Sequence, residues 1–360
     1  MKRKKKILFL VPYAVGMAPS QRFRVELYKD VMDAAGLSYR IQSFLSARSQ
    51  KKIYQEGNYF GKVLAIISGF IKRWWTVVFI SPAYDFIFIH REASPAGPPF
   101  FEWYLRKIYR KKIIFDFDDA IWIPNTSVTN KIAGWARCNW KVKYICRWSY
   151  KVVGGNEYLC AFARQYNRQA ILIPTCVDTV KGHGSVKSIY NTSRPVIGWT
   201  GSHSTLKYLD EIMPLLKQMQ EQFDFCFTVI ADIDPQLPLK NYRFIAWRAV
   251  SENEDLLQFD IGIMPLTPDE WSEGKCGFKL IQYFATGIPA VASPVGVNKE
   301  IIEQGVNGFL CTTTTEWEEA LVRLLNDASL RERMGNAGRK MVVERYSVLS
   351  QRERFLGLFE

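Results

Sequence analysis

Residues 274–296 read GKCGFKLIQYFATGIPAVASPVG. Gly277 stands immediately ahead of FKLIQYFA, a stretch of helical character, and Gly-Ile-Pro separates that helix from the apolar run AVAS at 290–293. A glycine at such a junction lets the backbone approach a ligand closely, and the amides of Gly277 and Phe278 would open a helix N-terminus, where anions are favoured. Lys275 and Lys279 bring positive charge to the same end. A cation at a helix N-terminus opposes the helix dipole, so Lys279 makes most sense with an anionic guest such as a diphosphate. A solvated Lys-Gly loop is the other reading of these residues. Either way, loop, helix, turn and strand in this order form one unit of an α/β fold.

The same alternation runs through the chain. Short β-rich apolar runs stand at 7–11 (ILFLV), 39–44, 86–90 (FIFIH), 112–117 (KIIFDF), 151–155 and 170–174, and again at 195–201 (PVIGWTG), 225–231, 242–247, 261–265, 290–293 and 308–311, with helical stretches between them. Strands separated by helices imply parallel sheets covered on both faces, and 360 residues suit two such doubly wound domains. A Gly-, Ser- and Lys-rich stretch between Asp178 and Arg194 reads as the linker, giving domains of 1–185 and 186–360, with a C-terminal helix that could pack back on the first. In open α/β sheets ligands bind beyond the carboxyl ends of the strands, so the expected site is a cleft between two facing domains.

Composition narrows the function. Hydrophobic residues make up 48% and charged residues 23%, ordinary for a folded protein. The charge is divided unequally, with 31 Lys+Arg against 12 Asp+Glu in residues 1–190 and 17 against 23 in residues 191–360. A one-signed first half suits a polyanionic partner, either nucleic acid or the anionic face of a membrane. No RNP-like, Cys-His finger or Gly-x-x-Gly module is present, which sets nucleic acid aside. Seven scattered cysteines with no Cys-x-x-Cys pair, and three histidines without ligand spacing, speak against zinc and for a reducing compartment. MKRKKKILFLVPYAVGMAPS imitates a signal peptide but is read as a first strand and its loop, because Pro12 ends the apolar run and polar residues follow. Val63–Ser81 is apolar but cut by Lys72 and Arg73, so a bilayer-spanning helix is not expected.

The order of these elements resembles the glycosyltransferase family 4 group, whose members adopt the GT-B fold of two Rossmann-like domains facing a cleft. The family carries a Glu-x7-Glu motif running into a helix and then Ala-x-Gly-x-Pro; here Gln282 precedes YFATGIP, and Gly274, with Glu273 beside it, holds the first motif position. IPTCVD at 173–178 looks like the end of the family's first domain, and VIGWTGSHSTLKYLDEI like the opening of its second. The resemblance implies a UDP- or GDP-sugar donor bound by the second domain through Gly201, Ser202, Lys207, Trp247, Lys275, Gly277, Phe278, Lys279 and Gln282. It also implies a glycan, polysaccharide or lipid-linked acceptor, retention of configuration, and no cofactor or metal.

In the first half, the acidic cluster FDFDDA supplies Asp118 and Asp119, and the resemblance puts Asp118 about where several relatives carry a histidine facing the reacting sugar. They read as acceptor-side catalytic groups, or as a helix N-cap, or together with Asp116 as a metal cluster. His90 and Arg91 end a strand and are expected to face the cleft, His90 as a further catalytic group and Arg91, with Arg22 and Arg24, as an anchor for an anionic acceptor, while Gly16 is expected close to the donor phosphates. Aromatic and aliphatic residues interleaved with Lys62, Lys72 and Arg73 between Phe60 and Trp75 suit contact with an anionic membrane surface, or a buried helix with a basic cap. The setting expected is cytoplasmic, at the inner face of the membrane. A sugar-nucleotide epimerase, and a noncatalytic anion- or nucleic-acid-binding protein, remain the alternatives.

Overall fold

The computed structural model describes residues 4–54, 57, 59–124 and 136–360. The chain divides into two compact units, Met1–Thr175 with Gln351–Glu360, and Cys176–Ser350. Each is built on a six-stranded, wholly parallel sheet.

In the first unit the strands are β1 (Lys6–Val11), β2 (Ser38–Ser43), β3 (Phe86–His90), β4 (Lys112–Phe117), β5 (Lys151–Gly154) and β6 (Ala170–Leu172), in the spatial order β2-β1-β3-β4-β5-β6. Ile7 to Val11 and Phe86 to His90 are buried along their whole length, which is why they read as unbroken apolar runs rather than alternating ones. The strand order reverses between β1 and β3, so the loops leaving these two strands flank the switch point of this sheet.

The helix Val348–Leu356 and the turn after it close this unit. Phe355 stacks on Tyr28 with ring centres 3.9 Å apart, Phe359 meets Phe9 and Phe86 edge-on, and the Tyr150 hydroxyl donates to the carbonyl of Glu360.

The second unit contains β7 (Val196–Thr200), β8 (Cys226–Ala231), β9 (Tyr242–Ala246), β10 (Ile261–Met264), β11 (Ala290–Ala292) and β12 (Gly308–Leu310). Their order is β12-β11-β10-β7-β8-β9, the dinucleotide-fold arrangement, with its switch point between β7 and β10. All twelve expected strands are present. Several end a residue or more early, at Pro174, Pro265, Gly155 or Gly201, where the chain turns out of the ladder.

Two expectations are corrected. The stretch 178–194 is fastened to the second unit along its length rather than left as a polar tether. Its Lys187 pairs with buried Asp260 at 3.1 Å, the Tyr190 hydroxyl donates to Gly287 O at 2.7 Å, and Arg339 donates to the carbonyls of Thr179 and His183. These polar contacts do the fixing that few apolar residues could.

Lys72 and Arg73 do not cut the apolar stretch: helical backbone runs from Tyr59 to Ala83, 25 residues, long and apolar enough to cross a bilayer by length and composition. Arg73 is tolerated because it turns inward, donating to Val11 O at 2.9 Å and Gln42 O at 3.3 Å.

Candidate functional site

The carboxyl edge of the second sheet gathers the expected donor residues. Gly201 and Ser202 follow β7, Trp247 follows β9, and the loop after β10 leads through Lys275 to the helix Phe278–Ala285. Gly277 caps that helix in the left-handed region, at φ +63°. The backbone angle calls for glycine, and a Cβ added there would lie 2.2 Å from Cδ1 of Ile301, which would have to turn aside. The first turn of a helix presents its amide hydrogens forward, and here they emerge beside the switch point.

Lys279, on the first turn, holds its ammonium 5.3 Å from the centre of the Trp199 ring near the end of β7. Lys275 lies over the Trp271 ring at 5.0 Å. Two cations thus flank the glycine, each seated on an indole face. At Gly201 a Cβ would strike the Trp199 ring at 2.3 Å, so the turn that begins with Gly201 lies tightly against the ring that carries Lys279. Ser202 then caps a short 3-10 helix, His203–Leu209, together with Thr205.

Tyr283 ties the site to its sheet. Its buried hydroxyl donates to Ile263 O on β10 and accepts from the amide of Thr200 on β7, bridging the two strands of the switch point. Burial pushes the ionisation of this phenol well above its ordinary value, so it stays a neutral donor and acceptor. Gln282, one residue earlier, is buried as well.

The remaining donor candidates are more dispersed. Lys207 is exposed over its neighbour's ring, Tyr208, whose hydroxyl reaches Ser272 Oγ at 3.1 Å. Trp247 donates from Nε1 to Glu252 at 3.0 Å and stands just past β9, two strands beyond β7 and so about 10 Å from it.

Sequence reasoning missed Asn298. It is fully buried, its amide nitrogen donates to Ser293 O, and its Oδ1 has no hydrogen-bond partner among the described residues. That oxygen lies 3.7 Å from where a Gly277 Cβ would be. Also missed was Asp232, whose carboxylate accepts from both the backbone amide and Nδ1 of His203, each at 2.7 Å. An acid just past β8, facing a turn with a free-looking histidine, was the available signal.

The first unit departs further from expectation. Arg24 is buried and committed: it forms an ion pair with Asp116 and donates to Ile173 O, so it cannot also anchor an acceptor. His90 is fully buried and does not open to solvent. Its Nδ1 meets Asp116 Oδ2 at 2.7 Å and its Nε2 meets Ser20 Oγ at 3.0 Å. Ser20, half-buried on the helix Pro19–Arg24, is therefore the outer end of a chain running Asp116, His90, Ser20, a role with no local signal in its flanking residues.

Burial alone would raise the Asp116 carboxyl, but the Arg24 charge and the hydrogen bonds from His90 and Arg24 outweigh it and hold it below the ordinary value. The Gly16 amide donates to the Glu26 carboxylate at 2.9 Å, so in this structure a carboxylate occupies the position proposed for phosphate. Arg22 lies over the ring of Phe23 at 5.0 Å.

Arg91 is the hub of the remaining acidic residues. It pairs with Asp119 and lies 3.6 Å from Asp118. Burial would lower its pKa, but Asp118 and Asp119 more than offset that. Asp118 is also held below the ordinary value, with burial opposed by Arg91, His90 and a hydrogen bond from Ser20. Arg91 adopts φ +62°, a conformation that is strained for a side chain of this size. The three aspartates are thus each matched to arginine or histidine, and among the described residues no three such groups converge as a metal site.

Residues 194–327 match the family model for glycosyl transferases group 1, and this range contains the whole switch-point constellation from Gly201 to Asn298. The matched range lies wholly inside the second unit. Curated relatives of the chain include alpha-D-kanosaminyltransferase of Streptomyces kanamyceticus, 25% identical over 179 residues, covering 46% of this chain and 45% of that protein. Another is N-acetyl-alpha-D-glucosaminyl L-malate synthase of Bacillus anthracis, 33% identical over 82 residues, covering 21% and 22%. The chain therefore matches less than half the length of either.

Solved structures share the fold of both units. Sucrose-phosphate synthase from Thermosynechococcus elongatus superposes with a TM-score of 0.74 at 15% identity, covering 99% of this chain and 98% of that one. Alr3699/HepE from Anabaena, in complex with UDP and glucose, gives 0.67 at 15% identity, covering 98% of both. The architecture is GT-B.

Proposed function

We propose that the protein is a glycosyltransferase that moves a sugar from a nucleotide-diphospho sugar, with UDP or GDP as its nucleotide, to a glycan, polysaccharide or lipid-linked acceptor. One observation carries the reading: the left-handed Gly277 cap, flanked by Lys275 and Lys279, lies inside the matched group 1 region and at the switch point of its sheet. The Anabaena structure bound to UDP and glucose, and the two sugar-transferring relatives, support it.

The leaving diphosphate gains charge as the glycosidic bond to it breaks, and preorganised cations and amides aimed at that charge lower the barrier. Lys275, Lys279 and the first-turn amides would serve in this way, so we read the reaction as metal-independent, with Gln282 toward the ribose. Retention of configuration follows from the family resemblance. In the first unit, Ser20, Asp118 and Asp119 are the acceptor-side groups, with His90 and Asp116 fixing Ser20 from behind. Seven free cysteines, five of them buried, fit a cytoplasmic setting.

Thermal shifts with UDP-, GDP-, ADP- and dTDP-sugars test the donor, because a ligand bound only by the folded state raises apparent stability. Release of nucleoside diphosphate should then depend on an added acceptor, persist in EDTA, and give a product with the donor's anomeric configuration. No stabilisation by any nucleotide sugar, or turnover of one without release of its nucleotide, would overturn the proposal.

A further inference from the structure

A helix packed on a sheet normally turns its apolar residues inward and its polar ones to water. The helix Tyr59–Trp75 carries a second apolar face on its outer side. Phe60, Val63, Leu64, Ile67, Ile71 and Trp75 recur at steps of one to four residues that bring them to one stripe at 100° per residue, and all are exposed, between 47% and 76%. Its other side is seated. Gly61, Ala65, Gly69 and Arg73, four residues apart, are buried, and a Cβ on Gly69 would fall 2.3 Å from the Phe44 ring.

The outer stripe continues onto the next helix. Trp74 packs against Phe100 with ring centres 5.1 Å apart, and the helix Phe100–Lys107 exposes Phe100 and Trp103 beside it. Cations border this surface: Arg40, Lys62 and Lys72 on one helix and its neighbouring strand, Arg106 and Lys107 on the other helix, all at least partly exposed. In the two helices the one acid is Glu102, which is buried. Burial, and after it repulsion from Arg73 and Arg40, pushes the Lys72 ammonium below its ordinary pKa.

We infer that the outer face of Tyr59–Trp75, with Phe100 and Trp103, is a docking surface for an anionic membrane, on which the helix lies flat with its aromatic and aliphatic stripe in the headgroup boundary. Bulky aromatics on the apolar side, with lysine and arginine at its border, are what such an interface selects. A second copy of the chain fits less well. A two-fold contact would bring the same cations together with no exposed acid on either helix to pair them. Spanning the bilayer would require pulling the Arg73 guanidinium off the carbonyls of Val11 and Gln42.

Val11 ends β1, so Arg73 also fixes the end of this helix to the sheet edge that carries His90 and Asp116. Membrane docking of that unit narrows the acceptor to a lipid-borne one. This last step rests on the glycosyl-transfer reading; the docking itself does not.

Flotation of the protein with phosphatidylcholine vesicles, with and without phosphatidylglycerol, tests the surface. The wild type should float with the anionic vesicles, less so at high salt. The double variants Ile67→Glu/Ile71→Glu and Lys62→Glu/Lys72→Glu should each lose about tenfold or more in partitioning, while keeping the wild-type melting temperature. The inference is overturned if the wild type stays with neither vesicle, or if the glutamate variants float as well as it does. It is equally overturned if light scattering shows a dimer that Ile67→Glu/Ile71→Glu converts to a monomer. Flotation needs no nucleotide sugar, so failure of the donor screen and failure of docking are read separately.

Discussion

The Lys279 ammonium stands 5.3 Å over the Trp199 ring, joining the Gly277-capped helix to the end of β7 across the switch point. The cation is placed where the helix dipole disfavours it, at a cost of about 0.3–1 kcal/mol, while its seat on the indole returns a similar amount. Lys279→Ala should therefore leave the unliganded melting temperature nearly unchanged. It should weaken the preferred nucleotide sugar by tenfold or more, since a charge-assisted contact contributes about 1.5–3 kcal/mol. Calorimetric titration decides it; equal affinity of variant and wild type would remove Lys279 from the donor site.

Gly277→Ala tests the cap itself. The new Cβ must be accommodated at φ +63° and only 2.2 Å from Ile301 Cδ1. We expect a loss of about 2 kcal/mol or more in denaturant unfolding, together with loss of the donor-induced thermal shift. Trimming the obstacle, in Gly277→Ala/Ile301→Ala, should not restore stability, because the backbone strain remains and a cavity is added. Stability equal to wild type in the single variant would mean that the loop relaxes freely.

The two sheets were legible because buried parallel strands are continuous apolar runs, and ILFLV, FIFIH and KIIFDF are such runs. The donor loop was legible for a local reason: Gly277, the lysines beside it and the helix they precede are neighbours in sequence. In the first unit the deciding partners are far apart. Arg24 and Asp116 are 92 positions from each other, and His90 meets Ser20 across 70. Nothing near Arg24 distinguishes a buried structural arginine from a ligand-binding one, so its placement with the acceptor failed. The stretch 178–194 was misread for the same reason, since its anchors, Asp260, Gly287 and Arg339, lie far along the chain.

Asp116→Asn follows from that buried pair. Leaving Arg24 without its counter-charge should cost about 3–5 kcal/mol. The folded carboxyl is held below its unfolded value of about 3.9, so its contribution is present above that pH and is lost as the pH falls through the folded value. Unfolding midpoints measured from about pH 7 down to about pH 3 should fall in the wild type by more than in Asp116→Asn, narrowing the gap between them. A gap that stays constant over this range would show that the carboxylate is not the linked group.

Tyr283→Phe removes one oxygen and leaves two backbone groups in want of a partner, the Thr200 amide and the Ile263 carbonyl. Each is buried beneath the switch point, and an unmet buried polar group costs about 1–3 kcal/mol. We expect destabilisation of about 2 kcal/mol or more from this pair, at no change in side-chain volume that packing could account for. Because Thr200 leads directly into Gly201 and Ser202, the turn should also loosen, and donor affinity should fall several-fold while the response to Lys279→Ala persists. Denaturant unfolding and calorimetric titration of the single and double variants measure both effects. A Tyr283→Phe protein as stable as the wild type would mean that water or a shifted backbone satisfies the two groups, and that this hydroxyl does not brace the site.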